Sequence, residues 1–165
     1  MMDLAKQTLK DLRFAIDLLN ETDDEQLFRI LLVSAVSMNR TIGWILDNDE
    51  DKAVRQASRL LYNEWKKDGD CIFNTFIHDY RNVVVHEART EIETYVPVVI
   101  MDADQNPITD IIDMDELMYV PIHPFSDKSD KKYDYGDLDV RDLLEESAIW
   151  WEEQIAKIEY MLDAS

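Results

Sequence analysis

Glycine and proline are scarce in this chain of 165 residues, with three of the first and four of the second. So few chain-reversing residues argue against a many-stranded sheet and against a Gly-rich phosphate loop, and they favour long helices. There is one cysteine, Cys71. It excludes an intrachain disulfide and a cysteine-based metal cluster, and it fits a reducing, cytoplasmic setting with a lone buried thiol. No run approaches the ~18 uninterrupted apolar residues that a membrane-spanning helix needs. Charges at Asp3, Lys6, Lys10, Asp11 and Arg13 break every early apolar run, unlike a secretion signal. Basic residues are also few, 17 Lys and Arg against 36 Asp and Glu, a net charge of −19. That balance argues against a general nucleic-acid binder, whose affinity comes mostly from neutralising phosphates. The deficit is uneven. Residues 1–93 hold 12 basic and 18 acidic residues, a balance of −6, and residues 94–165 hold 5 and 18, a balance of −13.

What is present reads as a single helical domain over residues 1–165. Leu9, Leu12, Ile16 and Leu19 recur at steps of three and four, which predicts an amphipathic helix over 3–19. Asn20 to Asp23 break it, and Thr22 or Asp23 is placed to cap the next helix. Residues 24–46 are apolar almost all round, from Leu27 and Phe28 to Trp44 and Leu46. A helix of that kind is central in a bundle or partly covered by a second subunit. Residues 51–67 are two-faced. Val54, Ala57, Leu61 and Trp65 share one side, while Lys52, Arg55, Arg59 and Lys66 fall within about 60° of one another on the other. This basic stripe is either a solvated face or an RNA track. Residues 71–93 form a fourth helix with a core face of Phe73, Phe76, Ile77, Tyr80, Val83 and Val84. Residues 137–163 return to helix.

Between them the pattern changes. Residues 95–101 are rich in β-branched side chains and end at the turn signal of 102–107. Further strand-like runs follow at 108–112 and 117–122. This predicts a small β-hairpin or three-stranded insertion within 94–136, ending in a loop. Asp102, Asp104 and Asn106 mimic the start of a calcium loop, but Pro107 stands where its glycine is needed, so a hairpin turn is the better reading. Trp150 and Trp151 are adjacent on the last helix, one expected in the core and one at its boundary.

The chemistry concentrates between Phe76 and Glu87. Arg81, Asn82 and His86 occur there, with three valines between the last two. Asn82 and His86 are four apart and share a helix face. Arg81 and His86 are five apart, about 140° around the helix. Either the long Arg81 side chain reaches round, or Arg81 of one copy meets His86 of another. His78 and Asp79 widen the same polar patch and are possible accessory residues. The bland alternative is a surface ion pair for Arg81 and a plain exposed imidazole for His86. Val85 is an odd apolar residue on this polar face and suits a nearby subunit interface.

The Arg81-Asn82-x3-His86 pattern late on a bundle helix resembles the R-x(4–6)-H signature of HEPN domains, in which a polar residue commonly follows the arginine. The resemblance covers residues 1–93 and the last helix. It implies an all-α, up-and-down bundle, here with a β-hairpin insertion before the last helix. It also implies an endoribonuclease that needs no metal or other cofactor and usually works as a homodimer, with two motifs meeting across the interface. Proteins of this kind often serve as toxins or defence effectors with a neutralising protein partner. The implied reaction is attack by the RNA 2′-OH, leaving a 2′,3′-cyclic phosphate. His86 is then acid or base, Arg81 the phosphate clamp and Asn82 the positioner. Two other readings stand beside this one. The chain could be a non-catalytic HEPN-like module that binds a nucleotide or a partner, or an acidic inhibitor or antitoxin that mimics nucleic acid toward a basic protein.

Overall fold

The computed structural model describes residues 2–69, 71–78, 80–81, 84, 92–95, 118–121 and 139–164. They are mostly helical. The chain divides into two compact units, one of residues 1–90 with 141–165 and one of residues 91–140.

The first unit is built on α1 (Met2–Glu21), α2 (Glu25–Asp47), α3 (Lys52–Trp65) and α4 (Val140–Asp163). The expected helices over 3–19, 24–46, 51–67 and 137–163 each correspond to one of these. The apolar repeat of α1 is its buried face, with Leu9, Leu12, Ile16 and Leu19 all in the core. Only residues 22–24 separate α1 from α2, so the two pack as an antiparallel hairpin. The cap of α2 is neither Thr22 nor Asp23. It is Asp24, whose carboxylate accepts from the backbone N–H of Leu27 at 2.7 Å. Asp24 stands three residues before that N–H, the spacing at which a carboxylate can satisfy an otherwise orphan donor. Asp51 caps α3 in the same way, accepting from Ala53 at 2.8 Å.

Among the described residues α2 is the one helix long and apolar enough to cross a bilayer by length and composition. Its neighbours cover part of that apolar surface and leave Leu27, Ile30 and Trp44 exposed. It packs on α1, on α3 and on the segment that follows α3. It is tied to α4 by a buried polar link. The indole N–H of Trp151 donates to Asn39 Oδ1 at 2.7 Å, and the amide of Asn39 donates to the Ser147 hydroxyl. All three side chains are almost fully buried, so each polar atom requires a partner. Gly43 lets the two helices come this close, since a Cβ there would lie 3.0 Å from Trp151 Cη2.

α1 and α4 run antiparallel, as their ion pairs show: Lys6 meets Glu159, and Arg13 meets Glu152 and Glu145. Rising numbers on one helix match falling numbers on the other. Trp65 closes the end of α3 against α4, donating from its indole to Gln154 at 3.1 Å. Around it stand Phe73, Trp150 and Trp151, with ring centroids 4.8–5.7 Å from that of Trp65. Trp151 is wholly buried and Trp150 half-buried, as their adjacency on one helix requires.

The expected α-helix over 71–93 differs at both ends: Ile92 and Glu93 lie in a β-strand, residues 85–91 fall outside the described ones, and the first part is wound differently. Phe73–His78 is wound as a π-helix, which widens the turn by a residue. The predicted inward face survives: Phe73, Phe76, Ile77, Tyr80 and Val84 are buried. Val83 lies outside the described residues, as does Val85.

In the second unit, β1 (Ile92–Tyr95) pairs antiparallel with β2 (Met118–Pro121), Ile92 opposite Pro121 and Tyr95 opposite Met118. β2 falls inside the expected strand over 117–122, whose two end residues lie outside the described ones. The expected strand over 95–101 meets β1 only at Tyr95, the ladder starting three residues earlier. The run at 108–112, the acidic turn at 102–107 and the loop after 122 fall outside the described residues.

Candidate functional site

Arg81 follows Tyr80, whose ring is buried and stacks on Phe76 with centroids 5.2 Å apart. Burial pushes the Tyr80 hydroxyl well above its ordinary pKa, so that residue anchors and does not titrate near neutrality. With Tyr80 fixed inward, the next residue is turned toward the boundary of the bundle, and Arg81 is half-buried there. It lines an open groove of about 300 Å3 whose other walls are Ser37, Arg40, Thr41 and Trp44 of α2. Those four positions are spaced by three, one and three, so they form one helix face.

The groove has a definite chemistry. Ser37 donates its hydroxyl hydrogen to the carbonyl of Val33 at 2.7 Å, and Thr41 donates to that of Ser37 at 2.8 Å. Both hydroxyl oxygens therefore face outward mainly as acceptors. Positive charge comes from Arg40 and Arg81. The Arg40 guanidinium sits over the Phe73 ring, 5.6 Å from its centroid, which holds it by a cation–π contact. Among the described residues no carboxylate forms an ion pair with Arg40. Asp47 is near, but it accepts from Arg59 at 2.7 Å. Trp44 is 64% exposed, an unusual position for a tryptophan. A second cavity of about 190 Å3 shares Arg40 and Trp44 with the groove and runs to Tyr62, Trp65 and Phe73.

The expected site residues are placed as follows. Arg81 lines the groove. His78 ends the π-helix and is exposed. Asp79, Asn82 and His86 lie outside the described residues. The basic stripe of α3 is largely occupied within its own neighbourhood. Arg55 donates to the backbone carbonyls of Asp49 and Glu50, and Arg59 pairs with Asp47. Lys66 lies over the Tyr62 ring at 5.0 Å, and Lys52 is exposed. The partners of Arg55 and Arg59 fasten the turn between α2 and α3. Cys71, expected to be buried, is half-buried, because it stands on the bend just before the π-helix. Among the described residues no three His, Cys, Asp or Glu side chains gather as metal ligands.

Sequence reasoning did not single out Arg40 and Trp44. The signal was present: Arg40 is a charge in the middle of a largely apolar helix, four residues before a tryptophan. It was hidden because an all-round apolar pattern does not tell which side stays open.

No family model, no curated protein and no solved structure matches this chain.

Proposed function

We propose that this protein is a metal-independent endoribonuclease, a HEPN-like helical bundle with a β insertion, acting in the cytoplasm as a toxin or defence effector. The observation that carries the proposal is the setting of Arg81. The arginine of the Arg81-Asn82-x3-His86 motif stands half-buried at an open groove that holds a second arginine and an exposed indole. A guanidinium at such a place can bind a phosphodiester through two parallel hydrogen bonds and stabilise the charge that grows on it during cleavage. In the proposed reaction His86 takes the proton of the 2′-OH, or gives one to the departing 5′-oxygen. The 2′-oxygen bonds to phosphorus as the P–O5′ bond breaks. The products are a 2′,3′-cyclic phosphate and a free 5′-hydroxyl. Two histidines are needed if one is base and the other acid, which is the chemical reason for a homodimer. A neutralising partner belongs to the same reading.

The test is incubation of end-labelled single-stranded RNA with the protein in EDTA. Cleavage with a cyclic phosphate end is expected from wild type and not from His86→Ala. Arg81→Ala should lose roughly 10²- to 10³-fold, the scale of removing one preorganised charge-stabilising donor. Mixing the Arg81→Ala and His86→Ala proteins should restore activity if each site takes one residue from each chain. RNA left intact by wild type, or cut equally well by His86→Ala, overturns the proposal.

The acidic second half of the chain favours one other reading, an inhibitor that presents carboxylates in place of phosphates. It predicts no cleavage, and salt-sensitive capture of a basic protein.

A further inference from the structure

We infer that Arg40 and Trp44 form a nucleotide subsite that holds single-stranded RNA beside the scissile bond, Arg40 on a phosphate and Trp44 against an unpaired base. The inference rests on the ribonuclease reading for the identity of the strand, but its geometry comes from residues outside the Arg81 motif.

Three features point this way. Arg40 is held in place by the Phe73 ring without a carboxylate partner among the described residues, so its outward donors are not committed to an internal acid. Trp44 is one helical turn further along α2 and mostly exposed, so its ring face is accessible at the rim of the same groove. The Ser37 and Thr41 hydroxyls give their hydrogens to helix carbonyls, leaving an acceptor oxygen at Thr41 between Arg40 and Trp44 and another at Ser37, one turn before Arg40. Acceptors suit the amino groups of a base and do not suit a phosphate, so Thr41 favours a base at the Trp44 end of the groove. A base can stack on Trp44 only when unpaired, because a duplex hides its base faces within the stack. The local charge also suits the task in a chain of strongly negative net charge. With few phosphate contacts, binding is weak and depends on stacking as much as on charge.

The test uses a 2′-O-methyl hexa-adenylate, which lacks the nucleophilic hydroxyl and so can be bound but not cut by the proposed route. Binding is followed by anisotropy of a terminal dye at several salt concentrations. Wild type should bind it and should prefer it over a blunt 2′-O-methyl duplex. Trp44→Ala should bind roughly 5- to 100-fold more weakly, the scale of one base–aromatic stack, with Trp44→Phe recovering most of that loss. Arg40→Gln should bind more weakly and flatten the plot of log affinity against log salt by about 0.7, the share of one phosphate contact on a single strand. Arg40→Lys keeps the charge and should keep the slope. Circular dichroism melts verify that each variant is folded. The subsite is overturned if wild type does not bind the oligomer, or if folded Trp44→Ala and Arg40→Gln bind it as wild type does. Cleavage of ordinary RNA is measured in parallel. Cutting by wild type with binding indifferent to both residues removes the subsite and leaves the nuclease. Binding that needs both residues without any cutting leaves the subsite and removes the nuclease.

Discussion

The indole N–H of Trp151 and the side-chain oxygen of Asn39 meet at 2.7 Å inside the bundle, joining the last helix to the second across 112 positions of sequence. Asn39 is a polar residue in the core, and it is tolerated there because it also donates to Ser147, whose own hydroxyl hydrogen goes to Leu144. Each member of the chain depends on the others. Replacing Asn39 by Ala strips Trp151 of its acceptor while leaving the indole buried. The expected loss is about 1–3 kcal/mol of stability, the cost of an unsatisfied buried donor. Urea denaturation of Asn39→Ala against wild type measures it. A change below about 0.5 kcal/mol, the scale of an ordinary surface substitution, would show that the link contributes nothing.

Gly43 faces the same tryptophan. In an exposed helix interior Gly→Ala gains up to about 1 kcal/mol from helix propensity. Here the added methyl would lie 3.0 Å from Trp151 Cη2 and 3.3 Å from the Arg40 guanidinium. Trp151 is wholly buried and fixed by its hydrogen bond, so it has little room to yield. Gly43→Ala is therefore expected to destabilise, overpacking of about 1–3 kcal/mol outweighing the propensity gain. A melting temperature above that of wild type would contradict this.

Asp24 starts α2 with a carboxylate on the Leu27 N–H, and Asp23 next to it makes no such bond. Asp24→Ala should cost about 1 kcal/mol, the usual value of a lost cap. Asp23→Ala should stay within about 0.5 kcal/mol of wild type. Equal effects of the two, by chemical denaturation, would reject this assignment of the cap.

Cys71 is half-buried, and burial raises the pKa of its thiol above the ordinary value despite backbone hydrogen bonds near Phe73 and Asn74 that act the other way. A raised thiol pKa means less thiolate at any given pH below it, and the thiolate is the reactive form. Alkylation by iodoacetamide should therefore be slower in the folded protein than in urea. Its rate should also rise with pH through a higher midpoint than in the unfolded chain. A folded-state midpoint at or below the unfolded one would reverse the assignment.

Much of the fold was legible in the order of residues. The steps of three and four in α1 and the two-sided pattern of α3 place their buried faces directly, since a periodicity near 3.6 leaves one solution for an amphipathic helix. The inward residues of the segment after α3 were also legible. Its winding was not. Phe73, Phe76, Ile77 and Tyr80 fit an α-helix and a π-helix nearly equally as a pattern, and the choice falls to the rings of Trp65 and Trp150 that Phe73 must meet. The cap of α2 was missed by one or two positions because three consecutive candidates, Thr22, Asp23 and Asp24, all carry a suitable side-chain oxygen.

The candidate site divides in the same way. The Arg81 motif could be singled out from sequence, because it depends on residue types at fixed spacing along one segment. Its groove could not, because Arg40 and Trp44 lie about forty residues earlier on a helix whose pattern gives no open side. The basic stripe of α3 shows the converse. By sequence it is four cations on one face. In the folded chain two of them fasten the turn before the helix, since the α2–α3 connection brings Asp47 and the carbonyls of Asp49 and Glu50 within their reach.

The sequence by itself determined a mainly helical chain, the inward face of its amphipathic helices and the local motif around Arg81. Those properties follow from periodicity and neighbour chemistry within a few residues. Only the tertiary structure decided which arginines are occupied, which side of α2 stays open, and which tryptophan is exposed. Those depend on what packs against each helix, and close packing between distant segments is not written in the spacing of either one.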